Sequence, residues 1–86
     1  MNVVSVPCEQ IRADPQSPGY PPQAVEELAA SIRESGLLRP ILVRKTDDGY
    51  VIVHGERRWR AVRALGHATI LAWTVLDYLH RSGGTL

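Results

Sequence analysis

The sequence predicts a small α+β domain, with helices packed against a mixed β-sheet. Two observations carry this. Apolar residues recur at helical spacing in two segments, and β-branched runs bounded by turn formers lie around them. The resulting order is strand, helix, strand, strand, helix, strand. The 86 residues are read as one domain, 1–86. A chain of this size buries roughly 60 to 65% of its unfolded surface, enough for one modest core.

The first strand is Val3-Val4-Ser5-Val6, stopped by Pro7. A loop rich in turn formers follows, Asp14-Pro15-Gln16-Ser17-Pro18-Gly19-Tyr20-Pro21-Pro22. Next comes an amphipathic helix with Val25, Leu28, Ala29 and Ile32 at i, i+3, i+4 and i+7. Pro22 suits its first turn, Glu26 and Glu27 are expected near its positive end, and Gly36 stops it. Residues 38–44 read as a strand that includes Pro40. Thr46-Asp47-Asp48-Gly49 is a hairpin turn, and residues 50–54 return as its partner strand. The second helix is expected over residues 56–65, ending at Gly66, with Trp59, Val62 and Leu65 on one side. Residues 69–76 form the last strand, and 77–86 read as a flexible tail.

Composition narrows the function classes. The net charge of +1 is too small for a protein that binds DNA by bulk attraction, so any such contact needs local clustering. Two Trp, three Tyr and no Phe give little material for a base-stacking platform. The single cysteine, Cys8, excludes a disulfide-stapled secreted domain and fits the cytoplasm; it reads as a small buried hydrophobe. No signal peptide is visible, and no apolar run approaches the roughly 20 residues that span a bilayer. His54, His67 and His80 lack ligand spacing, so no metal site is expected. Trp59 and Trp73 are expected in the core.

The informative stretch is Val53-His54-Gly55-Glu56-Arg57-Arg58-Trp59-Arg60-Ala61. A strand ends, a glycine turns the chain, and a helix begins at once. The first amides of a helix lack internal acceptors and sit at the positive end of its dipole, which together make an anion site. Gly55 permits a sharp turn and close approach of a phosphate. Arg57 and Arg58 stand where the dipole disfavours cations, and a bound phosphate would reverse that penalty. Arg58 is expected to lean over the strand ends. The bland reading stays open beside this one: Arg57, Arg58, Arg60 and Arg63 would equally form a solvated helix face.

These residues resemble a known family. Gly55-Glu56-Arg57-Arg58-Trp59-Arg60-Ala61 is similar to the GERRxRA box of ParB-type partition proteins, and Gly36-Leu37-Leu38-Arg39-Pro40-Ile41-Leu42-Val43-Arg44 resembles their upstream GLLQPIVVR box. The resemblance covers residues 3–76 and implies a ParB/sulfiredoxin-like fold. It implies a module that binds CTP, or another nucleoside triphosphate with Mg2+, in a DNA-partition or regulatory system. The phosphates would lie on Gly55, Glu56, Arg57 and Arg58, with the nucleoside bordered by Leu38, Arg39 and Pro40. Arg60 and Arg63 are further candidates for phosphate or DNA contact. The partners it implies are nucleotide and a second copy of the chain, with DNA reached through missing or partner segments, and no membrane.

Two departures stand out. Arg39 replaces the usual Gln, adding a cation beside the pocket. The family's ENxQR box, which completes the phosphate and Mg2+ site, has no counterpart, since Asn2 is the only asparagine. Two alternatives follow: a ParB-like nuclease or phosphotransferase with Glu56 as catalytic group, or a dimerising interaction module without a ligand. The sulfiredoxin reaction needs a cysteine in the phosphate turn, where this chain has Glu56.

Overall fold

A computed structural model describes residues 3–36 and 39–75. The elements are β1 (Val4–Pro7), a short 3-10 turn (Cys8–Gln10), β2 (Ile11–Arg12), α1 (Pro22–Ser35), β3 (Ile41–Thr46), β4 (Gly49–His54), α2 (Glu56–Ala64) and β5 (Thr69–Thr74). The strands form one sheet in the order β1-β5-β3-β4-β2. Pairs β1/β5 and β3/β4 are antiparallel, while β3/β5 and β2/β4 are parallel. The mixed α+β architecture is therefore as the sequence predicts, with one strand more. β2 is two residues long, too short to carry a period-2 signal, and it exists because Ile11 and Arg12 find partners in Tyr50 and Val51.

Both helices cover the same face of the sheet. The core between them joins Val6 and Ile11 to Ile41, Val43, Ile52, Ile70 and Ala72 of the sheet, and to Ala29, Ile32, Trp59, Ala61 and Val62 of the helices. Cys8 is part of this core, as expected for a small apolar side chain. Trp59 is buried, and its indole N–H donates to the Cys8 carbonyl at 3.3 Å, so its polar atom is satisfied. Trp73 departs from expectation: it is half-buried and lies on the opposite face of the sheet, because it follows Ala72 in β5 and strand side chains alternate.

The helix ends are set by local chemistry. α1 begins at Pro22 with Pro21 as its cap, so its first turn holds no acidic residue; Glu26 and Glu27 fall one turn later than expected. Gly36 ends α1 in the left-handed region (φ 70°), its N–H donating to the Ile32 carbonyl at 2.7 Å. The β3–β4 turn is held by Asp48, which accepts from Thr46 at 3.0 Å and from Arg12 at 3.1 Å. Among the described residues, no helix is long and apolar enough to cross a membrane. The expected tail at 77–86 and the Leu38 position lie outside the described residues.

Candidate phosphate-binding turn

Gly55 joins β4 to α2 with φ 106°, a conformation that L side chains rarely adopt. A Cβ there would sit 2.5 Å from Ile41 Cγ2 and 2.9 Å from Ile41 Cβ. Glycine thus serves twice, turning the chain and seating the turn against β3. The first intrahelical bond of α2 runs from the Trp59 amide to the Gly55 carbonyl at 2.9 Å. The amides of Glu56, Arg57 and Arg58 precede it and have no intrahelical acceptor, and no side chain caps the helix.

An open cleft of about 770 Å³ lies at this turn, lined by Arg39, Pro40, Ile41, Leu42, His54, Gly55, Arg58 and Trp73. Sheet register builds its floor. Leu42 pairs with His54 on one side and Trp73 on the other, so three side chains from three strands form a row. The β3/β4 register shifts between Leu42 and Val43, which leaves Val53 unpaired and places His54, not Val53, opposite Leu42.

Arg39 and Arg58 share this cleft, and no carboxylate among the described residues pairs with either. Burial of the Arg58 guanidinium pulls its pKa below the ordinary value, and the positive charges of Arg39 and Arg57 act in the same direction. The corner is therefore electropositive, with no counter-charge among the described residues.

The other residues of the motif are placed differently. Arg57 Nε donates to the Ala24 carbonyl at 3.0 Å, tying α2 to the first turn of α1. Glu56 is buried; its Oε1 accepts from Ser17 Oγ and its Oε2 from Arg60 Nε at 2.9 Å. Arg60 and Arg63 lie over the Trp59 ring, at 5.6 and 4.7 Å from its centroid. The structure thus brings Gly55, Arg58, Arg39 and Pro40 to one cleft, while Arg60 and Arg63 line a separate groove between α2 and the start of α1. Reasoning from the sequence missed Leu42, His54 and Trp73 as cleft residues and Ser17 as the partner of Glu56. His54 and Trp73 carry a signal in hindsight, since each ends or nearly ends a strand; Ser17 carries none.

The fold and cleft define a domain of the ParB/sulfiredoxin-like class. The chain belongs to the ParB N-terminal domain family, whose family model matches residues 1–78. It is 47% identical over 66 residues to the chromosome-partitioning protein ParB of Myxococcus xanthus, covering 74% of this chain and 22% of that protein. The chain thus spans less than a quarter of this relative's length. It superposes on the C-terminally truncated ParB of Caulobacter crescentus complexed with CTP-gamma-S with a TM-score of 0.74 and 36% identity, covering 94% of this chain and 50% of that one. The same truncated protein complexed to its centromeric parS site gives a TM-score of 0.70 at 36% identity, covering 92% and 45%. Sulfiredoxin of Arabidopsis thaliana matches with a TM-score of 0.71 and 31% identity over 94% of this chain and 96% of that one.

Proposed function

We propose that the chain is a CTP-type nucleotide-binding module of a DNA-partition or regulatory system. One observation carries this: Arg39 and Arg58 meet at the open start of α2 with no protein counter-charge among the described residues. Uncapped amides beside two guanidinium groups suit a polyphosphate. In this reading the phosphates lie on Gly55, Arg58 and the amides of residues 56–58, and the nucleoside lies between Arg39-Pro40 and the row Leu42, His54, Trp73. The likeness to a ParB complexed with CTP-gamma-S supports it.

Glu56 is a positioning residue here, holding the turn through Ser17 and Arg60 rather than acting as a base. Arg57 acts through α1. The sulfiredoxin reaction is outside this reading, since Cys8 lines a cleft with Gly66 and His67 at the far end of α2. The reading places the protein in the cytoplasm, with DNA and a second copy of the chain as partners.

A melting-temperature screen of the four ribonucleoside triphosphates tests the proposal. Binding to the folded state alone raises Tm by mass action. CTP should raise it, and Arg58→Ala should remove the rise. A Tm indifferent to every triphosphate rejects the reading. A supercoiled plasmid left uncut in Mg2+ or Mn2+ would separate binding from nuclease activity.

A further inference from the structure

The family resemblance implies Mg2+ beside the phosphates, and the donor set of this cleft does not fit that ion. Mg2+ takes oxygen ligands in near-ideal octahedral geometry, usually one or two carboxylates plus phosphate and water. Among the described residues, no carboxylate lines the cleft, and no group of three His, Cys, Asp or Glu could hold a metal. Glu56, the nearest acidic residue in sequence, has both carboxylate oxygens engaged, one by Ser17 and one by Arg60. The remaining titratable group in the cleft is His54, whose imidazole suits softer ions than Mg2+.

The charge that a divalent cation would supply is present in the protein. Arg39 and Arg58 together carry two positive charges into the same cleft. They repel one another there, which a bound polyanion relieves and a free cation does not. Guanidinium groups also bind phosphate bidentately, so they orient as well as neutralise.

We propose that Arg39 and Arg58 take the place of a divalent cation, so that the cleft binds its nucleoside triphosphate free of metal. This rests on the nucleotide reading given above and deepens it. Two consequences follow. Affinity does not depend on Mg2+, and it does depend on Arg39, a residue exposed at the rim of the cleft.

Calorimetric titration of the full chain with CTP, once in excess Mg2+ and once in EDTA, tests this directly. The expected result is binding of equal affinity in both buffers. Arg39→Gln should weaken binding in EDTA by about tenfold or more, the loss of a charge-assisted contact. Added Mg2+ should recover part of that loss, with an unchanged Tm showing that the variant is folded. Binding seen only with Mg2+ would overturn the inference while leaving the nucleotide reading intact. So would an Arg39→Gln variant that binds as tightly as the parent in EDTA. No heat in either buffer would reject both.

Discussion

Ser17 and Glu56, 39 positions apart in the chain, are joined by a hydrogen bond in which the serine hydroxyl donates to Oε1 of the buried carboxylate. The same hydroxyl accepts from the Gly19 amide at 3.1 Å. The loop before α1 is thereby fastened to the first residue of α2. Ser17→Ala removes one of the two partners of a buried carboxylate. We expect a loss of about 1 to 3 kcal/mol, lowering Tm by several degrees. Amide exchange at Gly19 should also quicken, and exchange no faster than in the parent would show that the bond does not restrain the loop.

Gly55→Ala should be costlier. The substitution imposes a strained positive φ and drives a methyl group into Ile41. Strain and overpacking together predict a loss of about 2 to 5 kcal/mol, read as a lower urea midpoint. A stability within error of the parent would mean that β3 and the turn separate without penalty.

Arg58 and Arg60 should separate cleanly by experiment. Among the described residues Arg58 has no ion-pair partner and feels the like charges of Arg39 and Arg57, so Arg58→Ala should leave Tm unchanged or raise it slightly while abolishing any rise with CTP. Arg60 pairs with buried Glu56, so Arg60→Ala should cost about 1 kcal/mol of stability after allowance for its part-exposed side chain, lowering Tm, and keep the CTP response. The reverse pattern would place the phosphate site in the groove between α2 and the start of α1.

Cys8 provides a pH-dependent readout. Burial pushes its thiol pKa up, and the charge of Arg63 only partly opposes this. A raised folded pKa gives stability that is complete below the unfolded thiol pKa and is lost as pH rises toward the folded value. Alkylation by iodoacetamide at mildly alkaline pH should therefore be slow in the native protein and fast in urea. Equal rates in both would show that the thiol is accessible.

Much of the fold was legible because it rests on local chemistry. Val25, Leu28, Ala29 and Ile32 declare α1 by their spacing, Asp48-Gly49 declares the hairpin, and Gly36 stops a helix as glycine usually does. The shortfalls share one cause. β2 is a strand only because Tyr50 and Val51 pair with it, and Trp73 leaves the core only because β5 alternates about Ala72. Neither fact is local.

The candidate site divides in the same way. Gly55 and the arginines following it are adjacent in sequence, and helix geometry alone assembles a turn with unpaired amides beside positive charge. Which guanidinium joins Arg39, which is held by Ala24, and which lies over Trp59 depends on how α2 meets α1 and the sheet. By itself the sequence determined the elements and the anion-attracting turn, because backbone sterics and periodicity act over a few residues. The tertiary structure alone decided the division of labour among the arginines and the partner of Glu56, because those contacts span 33 and 39 positions of chain and exist only once the core has formed.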